Sequence, residues 1–300
     1  LLAPPEGLLE ENRPQTRLME WSSSRSGIIT GLSKTWIHLK LRWTLVTILI
    51  DCYRNPLDWV RGLGYLIRLR RRVLGKHRVR KMVRVNGLYY MGLYTPGWND
   101  TTYRRFIASE LYHFKPHARK TNRLSQVFMA VTKKCPLQCD HCYAWDTLNT
   151  RDELNADQYL KILAPLQEMG ISQIYFTGGE PLVRMQVLEP VISALGPSSK
   201  SWLSTSGFRL TREKAARLKQ SGLTGVFISL DHYDPEKHNA FRHYDKAFEW
   251  ALNGARNALD AGLVVAFSIC LSDELCSESE LIKYMDLARD TGVHFVQFFE

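Results

Sequence analysis

Three hundred residues with 45 % hydrophobic content are enough for one large α/β domain with an extension, or for two ordinary domains, and exclude a disordered or fibrous chain. Six cysteines in this length are too few for a disulfide scaffold, which favours a reducing, cytoplasmic setting. The net charge of +10 is local: residues 34–84 hold fourteen Lys and Arg against Asp51 and Asp58, so the chain as a whole does not read as a specific nucleic-acid binder.

Residues 1–33 are rich in Pro, Ser, Gly and Glu, carry no signal-peptide pattern and read as a flexible tail. Residues 34–122 follow as a mostly helical basic region. Trp36, Ile37, Leu39, Leu41 and the run 43–50 are apolar, but that uncharged run is eight residues, against roughly 20 for a spanning helix. After Pro56, Leu57, Val60, Leu63 and Ile67 recur near the helical period between Arg61, Arg68, Arg70, Arg71 and Arg72. Two basic amphipathic helices result. They suit either peripheral contact of residues 34–84 with the anionic inner face of a membrane or packing on the rest of the chain with a solvated basic face. Asn86-Gly87 between β-forming residues predicts a hairpin over 84–94. A helix over 100–114 follows, capped by Thr101 or Thr102, and the domain boundary falls near Asn122.

From residue 123 to 300, strands and helices alternate. Strands are predicted at 126–132, 173–177, 201–205, 225–230, 264–271 and 294–299, with helices at 157–169, 185–195, 212–221, 244–261 and 278–291. Gly170, Gly196, Gly222, Gly262 and Gly292 each close a helix. The series predicts an α/β fold, a parallel sheet with right-handed crossovers in a partial (βα)6 TIM-like barrel.

The candidate motifs lie at the carboxyl ends of four successive strands, where the loops of such a barrel converge. Cys135, Cys139 and Cys142 form C-x-x-x-C-x-x-C after the first strand. Gly178-Gly179-Glu180-Pro181 follows the second, Thr205-Ser206-Gly207 the third, and Ser229-Leu230-Asp231 ends the fourth. Three thiolates on one loop suit an iron–sulfur cluster with one open position, whereas a structural zinc site would want a fourth ligand such as His141.

These motifs together resemble the radical S-adenosylmethionine (SAM) superfamily, over residues 124–300, in the branch with peptide- and tetrapyrrole-modifying members that includes SPASM and twitch enzymes. The resemblance implies the radical SAM partial barrel and a [4Fe–4S] cluster on Cys135, Cys139 and Cys142. It also implies SAM contacts at His141, Gly178, Gly179, Glu180, Pro181, Thr205, Ser206, Ser229 and Asp231, with His141 where the family has an aromatic residue and Ser206 where it has Asn. The implied activity is reductive cleavage of SAM to a 5′-deoxyadenosyl radical that abstracts a hydrogen atom from a peptide or cofactor precursor. A lipid, isoprenoid or tetrapyrrole at the membrane surface is the alternative, and a non-catalytic barrel binding zinc or a partner the reading from another class. A one-electron donor such as flavodoxin or ferredoxin is the implied partner. No catalytic side chain is singled out. Auxiliary clusters would lie after the barrel, in a C-terminal extension that this sequence does not contain.

Overall fold

A computed structural model describes residues 27–75 and 81–299 of the chain. Most of the expected tail and residues 76–80 of the basic segment lie outside the described residues. The last part of that tail has regular structure. Ile28–Ile29 forms β1, pairing antiparallel with β2 (Met82–Val85), and α1 begins within the tail, spanning Gly31–Cys52.

The second helix, α2 (Pro56–Leu74), starts as its sequence dictates. Asn55 accepts a hydrogen bond from the Leu57 amide, and Pro56 occupies the first turn, where its missing N–H costs nothing. Asn86 and Gly87 both take positive φ, 50° and 79°, which gives the two-residue turn joining β2 to β3 (Leu88–Tyr90). In α3 (Thr101–Phe114) the cap is Asp100, whose carboxylate accepts from the Tyr103 amide; it is neither Thr101 nor Thr102. The three helices enclose a small core of Ile37, Leu41, Ile48, Leu49, Tyr103, Ile107 and Leu111.

α1 departs from the expected amphipathic pattern. Its inner face contributes Ile37, Leu41, Ile48 and Leu49 to the core, yet its opposite face carries Leu32, Trp36, Leu39, Trp43 and Ile50 at helical spacing. Trp36 and Trp43 are 61 % and 68 % exposed. The helix is apolar on two sides.

The larger unit is a six-stranded parallel sheet in sequential order, curled into an open partial barrel. Its strands are β4 (Leu124–Ala130), β5 (Ile171–Thr177), β6 (Lys200–Thr205), β7 (Gly225–Ser229), β8 (Val264–Cys270) and β9 (Phe295–Phe299). They alternate with α4 (Ala156–Met169), α5 (Met185–Ser193), α6 (Arg212–Gln220), α8 (Ala247–Asp260) and α9 (Glu278–Thr291). An unexpected helix, α7 (Pro235–Arg242), precedes α8 and ends at His243, which takes the left-handed conformation (φ 51°).

Successive strand residues point to opposite faces of the sheet. Ile174, Phe176, Leu203, Val226, Ile228, Val265 and Phe267 pack under the helices. Tyr175, Trp202, Phe227 and Ala266 face the other way, where Val83, Val85, Tyr90 and Leu93 of the hairpin region cover them. Two buried polar side chains at this junction are paired: Trp202 Nε1 donates to Gln173 Oε1 (2.9 Å) and Tyr175 donates to the Leu93 carbonyl (3.1 Å). At its exposed edge Asn86 Nδ2 donates to the Gly262 carbonyl (2.8 Å). The hairpin thus fills the barrel at the amino ends of its strands. On the same inner face Phe128 stacks on Tyr175 (4.8 Å between centroids) and stays largely exposed.

Candidate active site

The loop after β4 continues the parallel ladder past the strand end. Gly179 N donates to the Thr132 carbonyl and Glu180 N to that of Lys134, each at 2.8 Å. A β-carbon on Gly178 would lie 2.3 Å from Thr132 O, and one on Gly179 would lie 2.4 Å from Lys134 O and 3.0 Å from Cys135 Cβ. Both contacts are closer than real atoms approach, so the two glycines are needed for the cysteine loop to lie on this turn. Asn149 fixes the loop's far side through a reciprocal pair with Cys135: its Oδ1 accepts from Cys135 N (3.0 Å) and its Nδ2 donates to Cys135 O (3.2 Å). Asp152 accepts from Thr132 Oγ1 and Lys133 N at 2.8 and 2.7 Å.

All three thiols are half-buried. Burial pushes the Cys135 thiol up to about 11. It raises Cys139 as well, against the pull of Arg242, whose Nη1 lies 3.5 Å from Cys139 Sγ. Thiols on one short loop beside a guanidinium are a donor set suited to a soft metal centre, because the cation favours the thiolate form. Among the described residues no three or more His, Cys, Asp and Glu side chains are gathered closely enough to hold one metal ion. His141, the expected fourth zinc ligand or SAM contact, stacks on Phe241 (4.8 Å, 17°).

The motifs after β5 and β6 meet at one carboxylate. Glu180 is buried; its Oε1 accepts from Leu182 N (3.0 Å) and Thr205 Oγ1 (2.7 Å), and its Oε2 from Ser206 N (2.8 Å) and Ser206 Oγ (2.6 Å). Four donors fill the acceptor capacity of a carboxylate. Burial pushes this carboxyl upward and the four hydrogen bonds oppose that shift. Glu180 therefore ties β5 to β6 within the protein, so the expected ligand contact requires it to release a donor. Pro181 is buried at the start of the short turn Pro181–Arg184.

Asp231, expected to face a ligand, is buried and paired. Its Oδ2 lies 2.6 Å from Arg242 Nε and 2.5 Å from Arg242 Nη2, while its Oδ1 accepts from Cys270 N (3.2 Å). Burial works against the Arg242 charge, but Asp231 and Cys139 outweigh it and hold its pKa above the usual value. The Asp231 amide donates to His238 Nδ1 (3.1 Å), and burial lowers the His238 pKa to about 4, so this imidazole is neutral. Ser229 is half-buried at the end of β7 and shares the inner face with Phe227.

Arg242 thus ends α7 in a buried ion pair. Nothing in the sequence motifs marks His238, Asn149 or Asp152. The signal for α7 was present in Asp234-Pro235-Glu236, a cap, a first-turn proline and a first-turn acid; Asp234 accepts from Glu236 N and Lys237 N.

A model of the Radical SAM superfamily matches residues 129–287. The AdoMet-dependent heme synthase of Nitratidesulfovibrio vulgaris is 32 % identical over 155 residues, covering 51 % of this chain and 42 % of that protein. The PqqA peptide cyclase of Bradyrhizobium diazoefficiens is 38 % identical over 105 residues, 35 % of this chain and 28 % of that one. Among solved structures, Streptococcus suis SuiB is similar with a TM-score of 0.48 at 16 % identity, over 58 % of this chain and 40 % of that one. The chain spans less than half the length of these relatives.

Proposed function

Because the chain belongs to the radical SAM superfamily, whose enzymes use a [4Fe–4S] cluster and SAM, we propose that Cys135, Cys139 and Cys142 hold the cluster and that the mouth formed by β4 to β7 holds SAM. When bound, these groups supply reductive cleavage of SAM to a 5′-deoxyadenosyl radical for hydrogen-atom abstraction, chemistry beyond any ionisable side chain. The observation that carries the reading is the backbone lock between the cysteine loop and Gly178-Gly179-Glu180, which joins that loop to the turn after β5.

In this reading the chain's own residues position and shield. Thr205 and Ser206 are held by Glu180, so the end of β6 is fixed relative to that of β5. Asp231 holds Arg242 against Cys139 and secures the start of the loop after β8 through Cys270 N. His141 is exposed on the cysteine loop, Ser229 is half-buried at the end of β7, and Pro181 is buried at the start of the turn after β5. The electron comes from a one-electron donor such as flavodoxin or ferredoxin, and the substrate is a peptide or a cofactor precursor, in keeping with relatives named as a peptide cyclase and a heme synthase. Anaerobic reconstitution tests this. About four irons and four sulfides per chain, with 5′-deoxyadenosine formed on reduction, are expected; a colourless protein that leaves SAM intact overturns it.

The outward face of α1 favours a second reading, in which the protein works at the inner membrane surface on a lipid, isoprenoid or tetrapyrrole. No helix among the described residues is long and apolar enough to cross a bilayer. An in-plane helix needs only an apolar stripe with flanking bases. Leu32, Trp36, Leu39, Trp43 and Ile50 supply the stripe, and Lys40 and Arg42 are exposed beside it. Burial and then the charges of Lys34, Arg42 and Arg70 lower the pKa of His38, which places bases of both helices around one point. Flotation with vesicles containing anionic lipid is expected to carry the protein upward at low salt and less at high salt. Absence of binding to anionic vesicles at low salt removes this reading.

A further inference from the structure

The carboxyl end of α7 is built onto the cysteine loop. Helix ends leave carbonyls without intrahelical partners. Here Asp140 N donates to Phe241 O (3.2 Å) and Gln138 N to Arg242 O (3.5 Å), while His243 Nε2 lies 2.6 Å from Asp140 Oδ1. The Phe241 ring lies against His141. Arg242 is therefore fixed by its own backbone beside the loop that holds Cys139.

Its side chain is fixed as tightly. Asp231 Oδ2 faces Nε and Nη2, and because the guanidinium is planar, holding these two nitrogens sets the direction of the third. That third nitrogen, Nη1, points at Cys139 Sγ at 3.5 Å. Asp231 is itself secured, by Cys270 N on Oδ1 and by His238 on its amide. The guanidinium is buried, with 8 % of its side-chain surface exposed, so water competes little for its donors.

We propose that Arg242 is a positioning residue for electron acceptance: it donates an N–H···S hydrogen bond to Cys139 that raises the reduction potential of the cluster, with Asp231 aiming the donor and balancing its charge. This rests on the reading of Cys135, Cys139 and Cys142 as cluster ligands. Physically, accepting an electron adds negative charge shared with the ligating sulfurs, and a donor aimed at one of them stabilises the reduced state more than the oxidised one. No covalent bond changes. The donor's electron enters the cluster, and Arg242 keeps its proton throughout.

The test is an EPR-monitored redox titration of the reconstituted protein without SAM, alongside iron and sulfide analysis. For Arg242→Gln, iron and sulfide contents near those of the parent are expected, with the equilibrium constant for one-electron reduction about tenfold lower, a shift of ~59 mV to more negative potential. Arg242→Lys keeps the charge but loses the fork, so a smaller shift of the same sign is expected, and it serves if the Gln variant does not fold. An unchanged midpoint in either folded variant overturns the proposal. Combining Asp231→Asn with Arg242→Gln removes both charges together. A midpoint that stays low supports the hydrogen bond, and a return to the parent value overturns it by assigning the effect to net charge. If the parent chain takes up no cluster, the ligand reading itself fails, which is distinct from a loaded cluster with an unmoved midpoint.

Discussion

The barrel and the helical region before it treat apolar surface in opposite ways. In the barrel, one face of the sheet lies under helices and much of the other under the hairpin, leaving Trp202, Phe176, Phe267 and Ile174 fully buried. In α1, an apolar stripe with two tryptophans faces outward although the helix has already buried Ile37, Leu41, Ile48 and Leu49 on its other side. Burial explains the first set through stability. The second set stays exposed among the described residues, so burial does not account for its apolar character.

This contrast can be broken first at Trp202, where the two regions meet. Trp202→Ala removes a fully buried ring and leaves Gln173 Oε1 without its donor, so urea unfolding should show a loss of about 3–5 kcal/mol. A loss under 1 kcal/mol would mean the hairpin does not seal the barrel. Next in size is Gly179→Ala, which forces a methyl against Lys134 O and Cys135 Cβ. A cost of about 1–3 kcal/mol is expected, together with reduced iron uptake on reconstitution. Retention of full iron content would separate the turn from the thiols.

A third effect depends on pH. His294 accepts from Val265 N, and burial lowers its pKa to about 4, so it is neutral in the folded chain. Between pH 6.5 and 4 the unfolded chain binds a proton that the folded chain refuses, so this residue's contribution is present above pH 6.5 and is lost as pH falls. Replacing it with Asn should flatten the stability–pH curve in that window by up to about 1.4 kcal/mol per pH unit. Equal slopes in parent and variant would show that His294 is not buried neutral. The smallest effect on stability belongs to α1. Trp36→Ser with Trp43→Ser should change unfolding free energy by no more than about 0.5 kcal/mol. The same pair should weaken binding to anionic vesicles at least tenfold if the second reading holds. A large loss of stability instead would show that the stripe packs within the protein.

The alternating order of the barrel was legible because strand and helix periods, and the glycines that end the helices, are local signals. Each expected strand boundary falls within two residues of the observed one. The motif positions were legible for the same reason, since each follows a strand. What each side chain touches was not. Glu180 reads as a free carboxylate until Thr205 and Ser206, 25 and 26 residues later, are brought onto it. Asp231 reads as a ligand contact until α7 returns Arg242 to it. These pairings depend on how turns approach one another in space, which no periodicity encodes. The two-sided character of α1 was in its sequence, but Trp36 and Ile37 stand side by side there and only packing decides which one is buried.

The hydrogen bond between Asn86 and Gly262 spans 176 residues. During synthesis at about 5–20 residues per second, the hairpin waits roughly 10–35 s for that partner to emerge. Until then Val83, Val85, Tyr90 and Leu93 have only an incomplete barrel to fill. The early hairpin is thus the segment most exposed to chaperones and proteases, and pulse proteolysis of stalled nascent chains should show protection of residues 82–98 appearing only after β8 has left the ribosome.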